Sequence, residues 1–225
     1  MPRSSRRSRP RAEQQRTRAT RDKIVDAALQ AFSERGFDGA RTRDIARRAG
    51  VNQGLITYHF SSKLDLWKAA VERIFALLRD EFAGRLEALE DVEPVARLRS
   101  LARHFVRFTA AHPELHRLMV EEGKADGPRM QWLVDRHVRP LYEASRVLIE
   151  AAQREGALPQ THPVHLYYIL IGAAAHIFVI APEVRRLAGK DPMRKDVIDA
   201  HADAIVSLVL GGATQSVPHP RRRAS

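Results

Sequence analysis

Between residues 42 and 63 the chain carries Thr42, Asn52, Gln53, Thr57, Tyr58, His59 and Lys63, a run of side chains that donate or accept hydrogen bonds. Nothing in their order sets up bond cleavage. No nucleophile elbow, phosphate-cradling glycine loop or zinc-binding histidine pair with glutamate is present anywhere in the sequence. Carboxamides, hydroxyls and an ammonium group are suited to recognition. Gln can pair with the N6/N7 edge of adenine, and Lys, Tyr and His can donate to phosphate oxygens. Two histidine pairs, His112/His116 and His162/His165, have spacings that share a helical face. However, His112 precedes Pro113 and neither pair has an acidic partner motif, so neither a metal nor a cofactor is expected. The absence of cysteine removes disulfides, thiolate nucleophiles and Cys zinc sites, and fits a reducing cytoplasm.

Helices must position these groups. Ile24, Ala27, Ala28, Ala31 and Phe32 form a 3.6-residue stripe over 20–35, and Gly36 supplies a left-handed stop. Thr42 is expected to cap a short helix from Arg43 to Ala49 that closes at Gly50, and Asn52 to cap one from Gln53 to about Phe60. Ser62 with Asp65 makes a capping-box start for a longer helix through Leu66, Trp67, Ala70, Val71, Ile74, Phe75 and Leu78. Ile45, Ala46, Ala49, Val51 and Ile56 let the two short helices cross around Gly50-Val51-Asn52, which is a helix-turn-helix pattern. Its second helix would enter a major groove with Asn52 and Gln53 leading toward base edges. Tyr58, His59 and Lys63 would follow at the phosphates, while Phe60 reads as a core anchor.

The second half continues in the same manner. Pro94 opens a helix with Leu98, Leu101, Phe105 and Phe108, and Pro113 opens another through Leu115 and Met119. One helix is expected over 129–154, an apolar one over 163–181 stopping at Pro182, and a last one bearing Ile198, Ala202, Ile205 and Val209. With no persistent alternation, the fold class is all-α. Leu166–Ala181 is apolar over 16 residues apart from the tyrosine hydroxyls and His176. That is short of the ~20 residues needed to span a bilayer, so it reads as a helix buried between partners, with no membrane role.

The 225 residues are 44% apolar and 29% charged, enough for a substantial core. The net charge of +11 is concentrated at the ends. Residues 1–21 hold eight arginines against Glu13, Arg221, Arg222 and Arg223 stand near the other end, and 22–220 carry only +1. Residues 1–19 are therefore expected to be a disordered basic arm and 213–225 a disordered basic tail, both suited to a polyanion or to solubility alone. No apolar stretch follows the arm, so it does not read as a secretory signal.

Residues 20–67 closely resemble the DNA-binding domain of TetR/AcrR-family regulators. The matching residues are Ile24 through Gly36-Phe37, Thr42, Ile45-Ala46, Ala49-Gly50-Val51, Gly54, Ile56, Tyr58-His59-Phe60, Lys63 and Leu66. The resemblance implies an N-terminal three-helix helix-turn-helix domain over 20–67. It also implies a helical C-terminal effector-binding and dimerisation domain over 68–212, nearest in outline to the family's regulators of pyrimidine catabolism. Carried over by position, it puts phosphate contacts at Thr42, Tyr58, His59 and Lys63 and base contacts at Gln53, Gly54, Leu55 and Thr57. Leu55 replaces the usual small polar residue and Thr57 the usual aromatic, so both can meet thymine methyls. Phe105, Phe108, Trp132, His137, Tyr168 and His176, with Tyr142, Tyr167 and Phe178, are candidates for an effector pocket, core packing being the competing explanation for each.

The implied function is a cytoplasmic, ligand-responsive repressor. It would pair as a homodimer through 163–181 and 196–210, bind a pseudo-palindromic double-stranded DNA operator and be released by a small-molecule effector. The rival classes are an enzyme, an architectural DNA binder using only the basic ends, and an activator.

Overall fold

The structure is a computed structural model that describes residues 9–211, with side chains from residue 13. The expected tail over 213–225 and the first eight residues of the arm lie outside the described residues. In chain order the helices are α1 (Arg9–Gly39), α2 (Thr42–Ala49), α3 (Gln53–His59), α4 (Lys63–Ala88), α5 (Pro94–Ala111), α6 (Pro113–Glu122) and α7 (Pro128–Leu133). A π-helical segment, Val134–Val138, leads into α8 (Arg139–Arg154), followed by α9 (Pro163–Val179), α10 (Ala181–Ala188) and α11 (Lys195–Leu210). There is no strand among the described residues.

Four expectations are corrected. The arm is not disordered over its whole length, because α1 is already helical at Arg9, and the Thr17 and Thr20 hydroxyls donate to the carbonyls of Glu13 and Arg16 four residues back. Thr42 does not cap α2. The chain turns in at Arg41 (φ −96, ψ 134), so Thr42 is already helical, and no side chain caps that end. The single helix expected over 129–154 is interrupted at Val134–Val138, because Pro140 in the first turn of α8 has no N–H to continue the α ladder. The apolar helix ends at Val179. Ile180 leaves helical geometry, Pro182 sits in the first turn of α10, and the axes bend by 76°. No single helix among the described residues is long and apolar enough to cross a membrane.

The chain forms two compact units, which divide it differently from the sequence boundary at residue 67. The first comprises residues through Glu81 together with Glu114–Leu133. Its core is built from Ile24, Ala28, Phe32, Ile45, Leu66, Trp67, Ala70 and Val71, all fully buried. Trp132 from α7 packs on Trp67 at 5.5 Å between ring centroids, and this is one reason the later segment belongs here.

The second unit contains Phe82–Pro113 and the residues from Val134 on. Here α5 packs on α8, α9 and α11. One core cluster joins Val106, Ala110, Ala174, Phe178, Ala202 and Ile205, and another Leu98, Ile149, Ala152, Leu158, Leu166 and Leu210. The buried Thr109 hydroxyl donates to the Ala174 carbonyl across the α5–α9 contact. Along α5, one turn apart, Arg99 donates to the Leu210 carbonyl, Arg103 pairs with Asp203 and Arg107 with Asp199. This sets α5 in register with α11. The pairs are exposed, so each contributes little stability and serves chiefly alignment.

Candidate nucleic-acid interface

The turn between α2 and α3 is determined by local chemistry. Gly50 adopts φ 67, ψ 32, a left-handed conformation that is strained for any residue with a Cβ. Its N–H donates to the Arg47 carbonyl and that of Val51 to the Ala46 carbonyl, the Schellman arrangement that satisfies the free carbonyls at the end of α2. Asn52 caps α3 as expected, its side-chain oxygen accepting from Leu55 N–H at 3.0 Å. The Asn52 amide NH2 therefore remains to donate outward. Ser62 likewise opens α4, accepting from Asp65 N–H at 3.0 Å and donating to its carboxylate at 2.9 Å.

These caps orient α3. Ile56 is buried against the core, and Phe60 anchors the far end, with the Arg21 guanidinium 5.1 Å above its ring. Gln53, Gly54, Thr57 and Tyr58 are exposed, and their spacing places them on one helical face. Tyr58 is 75% exposed, which a phenol tolerates only where water or a partner meets it. Leu55 and His59 are half-buried at the edges of this face, and the His59 ring lies edge-on to Tyr58 at 5.0 Å. Gly54 presents bare backbone.

Two flanks complete the surface. Arg41 and Arg43, which sequence reasoning passed over, are exposed on either side of the half-buried Thr42 at the start of α2. The free N–H groups there attract an anion. At the start of α4, half-buried Lys63 donates to the Asp38 carbonyl at 3.3 Å, with its ammonium 4.7 Å from the Phe37 ring centroid. Behind the turn, Arg48 of α2 forms a two-pronged ion pair with Glu34 of α1 (3.0 and 2.7 Å). That hydrogen bond holds the Glu34 carboxyl below the ordinary carboxylate range.

The family model for bacterial regulatory proteins of the tetR family matches residues 24–70, and the Tetracyclin repressor-like C-terminal domain model matches residues 94–209. The chain belongs to the TetR family. The HTH-type transcriptional regulator RutR of Escherichia coli (strain K12) is 30% identical over 172 residues, 76% of this chain and 79% of RutR. The HTH-type transcriptional repressor NicS of Pseudomonas putida is 28% identical over 163 residues, 71% of this chain and 75% of NicS. Among solved structures, AibR in complex with isovaleryl coenzyme A and operator DNA has a TM-score of 0.64 at 18% identity, covering 85% of this chain and 98% of that one. TetR-family regulators are DNA-binding transcriptional repressors, often ligand-responsive, and are not enzymes.

The residues expected to line an effector pocket do not converge. Phe105 and Phe108 come together around Phe82 in the second unit, with centroids 6.2 and 6.5 Å away, and His104 closes the cluster at 4.9 Å. His137 is buried in the π segment. Three expectations fail as pocket walls. Trp132 belongs to the first unit, on Trp67, with the Lys68 ammonium 5.4 Å from its ring. Tyr168 is 59% exposed and His176 exposed, both on the outer face of α9. A groove of the second unit is lined by Pro182, Glu183, Arg186 and Leu187 of α10, none of them an expected pocket residue. No group of His, Asp or Glu among the described residues is arranged to hold a metal ion.

Proposed function

We propose that this TetR-family regulator is a cytoplasmic homodimeric repressor that binds a pseudo-palindromic operator and is released by a small-molecule effector. The observation that carries this reading is the exposed Gln53, Gly54, Thr57 and Tyr58 face on a helix held by Asn52, Ile56 and Phe60. Gln53 reads an adenine edge, the Thr57 methyl meets a thymine methyl, and the Asn52 amide donates at the leading end. Leu55, half-buried, reaches a base only along the edge of the face. Thr42 with Arg41 and Arg43, and Tyr58 with His59 and Lys63, hold phosphates on the two sides, so that the helix sits in one register.

Dimerisation is supported by a surface the single chain leaves bare. His165, Tyr168, Ile169, Ala173 and His176 are exposed at helical spacing along α9, with half-buried Gly172 between them. Ala200, Ala204 and Leu208 extend the surface on α11, and His201 joins the two helices through the Ala173 carbonyl at 2.8 Å. Paired across a two-fold axis, these helices form a four-helix bundle and set two α3 helices about 34–36 Å apart on successive major grooves. The effector lodges against the Phe82, Phe105 and Phe108 rings. It acts through unequal affinity for the DNA-bound and free states, as any such ligand must.

The deciding experiment is a footprint on the DNA around the gene, repeated with candidate effectors. One protected pseudo-palindrome that disappears on adding an effector is the expected outcome. Broad protection that no small molecule relieves would mean an architectural DNA binder instead.

A further inference from the structure

We propose that Arg129 of α7 is a positioning residue for DNA binding, acting on Lys63 through the ring of Phe37. The inference rests on Lys63 being a phosphate contact. Phe37 follows Gly36, whose φ of 67 kinks the chain within the last turns of α1. The ring stacks on Phe32 (5.9 Å, 10°) and meets Trp67 edge-on (6.4 Å). Two cations lie over it, the Lys63 ammonium 4.7 Å from its centroid and the Arg129 guanidinium 4.1 Å from it.

Each cation has one further anchor. Arg129 Nε donates to Glu122 Oε2 at 3.0 Å, and the Glu122 side chain is only 3% exposed. Lys63 donates to the Asp38 carbonyl. A fixed chain of contacts therefore runs from the buried Glu122 carboxylate through Arg129 and the Phe37 ring to the Lys63 ammonium. Two positive groups sharing one ring repel, and Glu122 offsets the charge that Arg129 brings.

The lysine needs such help. An ammonium on a four-carbon stem loses much rotamer freedom when it settles on a phosphate, and a ring and a carbonyl that hold it beforehand reduce that loss. Lys63 keeps donors for DNA, since an ammonium has three and the Asp38 carbonyl takes one. The neighbouring contacts keep α6 and α7 in place. Trp132 packs on Trp67, and the Glu121 carboxylate lies 3.1 Å from where a Cβ on Gly36 would stand. A residue from the stretch matched by the C-terminal-domain model thus reaches the DNA-binding unit and orders one of its contacts.

The test compares operator affinity, salt dependence and thermal unfolding for the full chain and three variants. These are Lys63→Ala, the pair Glu122→Gln with Arg129→Gln, and all three together. Changing Glu122 with Arg129 avoids stranding a buried carboxylate. Without Arg129 the Phe37 ring loses the group that holds it under Lys63, so the paired variant should bind roughly two- to fivefold more weakly, at most the loss of the Lys63–ring interaction itself. In the Lys63→Ala background it should cost nothing more. In NMR spectra, the upfield shift that the Phe37 ring imposes on the Lys63 side-chain methylenes should shrink in the paired variant. A purely structural role would leave that shift unchanged and weaken both backgrounds equally, which would overturn the proposal. Full affinity in the paired variant, with Lys63→Ala weakened, would overturn it alone. Full affinity in Lys63→Ala would remove Lys63 from the interface and the proposal with it. Should the paired variant fail to fold, Arg129→Lys replaces it. A smaller loss confined to the Lys63 background is then expected, and an equal loss in both backgrounds would count against it.

Discussion

The outer faces of α3 and α9 are both left bare by the fold, but they differ in how much apolar surface they carry. On α3 the exposed residues are Gln53, Gly54, Thr57 and Tyr58, three of them with polar atoms that water satisfies. On α9 they include Tyr168 at 59% and Ile169 at 53% exposure beside Gly172 and Ala173. A polar face is stable alone, so the residue types on it can be chosen for what they recognise. The apolar patch of Ile169, Gly172 and Ala173, framed by His165, Tyr168 and His176, is unfinished surface whose burial is favourable by ~25 cal/mol per Å² of apolar area. The first face should therefore tolerate substitution at a cost to binding only, and the second should govern assembly.

The largest expected effect tests the α9 side of this comparison. Gly172 has open space around its Cβ position, so Gly172→Arg should fold yet fail to pair. Operator affinity should drop roughly 10²–10⁴-fold, the contribution of linking two binding sites. Sedimentation that shows an intact dimer would remove this interface. Ala174 lies two residues on but is buried, with its carbonyl bonded to Thr109. Ala174→Arg should therefore unfold the protein, and the contrast between these neighbours is itself a measure of which side faces outward.

On the α3 side, Gln53→Ala should leave the thermal midpoint unchanged and relax preference at one operator position by about 1–3 kcal/mol. A uniform loss across an operator library would instead make Gln53 a backbone contact. Deleting residues 2–18 should leave dimerisation and effector response intact. It should also flatten the dependence of log affinity on log salt by roughly 0.9 for each phosphate that the arm neutralises. An unchanged slope would reduce the arm to a solubility device.

The smallest effect concerns the ion pair that ties α2 to α1. The Arg48 hydrogen bond depresses the Glu34 carboxyl in the folded state, so its stabilisation is present above the ordinary carboxylate range. It disappears as pH falls through the folded value. The pair is partly exposed, which limits the contribution to about 1 kcal/mol or less. Melting curves of wild type and Glu34→Gln should differ at neutral pH and converge in acid; a constant gap would point to packing rather than charge.

Much of the DNA-binding unit is legible in the residues alone. The Gly50 turn, the Asn52 cap, the Ser62–Asp65 start and the buried Ile56 depend on groups within a few residues of each other. Local hydrogen-bonding options and φ preferences restrict such short stretches to few conformations. The departures at Thr42 and over 129–154 are also local. A threonine can cap a helix or open its first turn, and Pro140 in the first turn of α8 breaks an otherwise continuous apolar stripe. The aromatic residues of the second half are a different matter. Phe105, Trp132 and Tyr168 all carry the same hydrophobic signal. Only the packing of distant helices sends Phe105 to a ring cluster, Trp132 to the DNA-binding unit and Tyr168 to the surface.

By itself, then, the sequence determined the all-α class, the helix-turn-helix and the identity of the residues on its outer face, because each follows from spacing along one helix or turn. Tertiary structure alone decided which flank of α9 stays bare, where α6 and α7 belong, and that Lys63 and Arg129 share the Phe37 ring. Those outcomes depend on contacts between residues tens of positions apart. No periodicity encodes such contacts, because they exist only once the helices have packed.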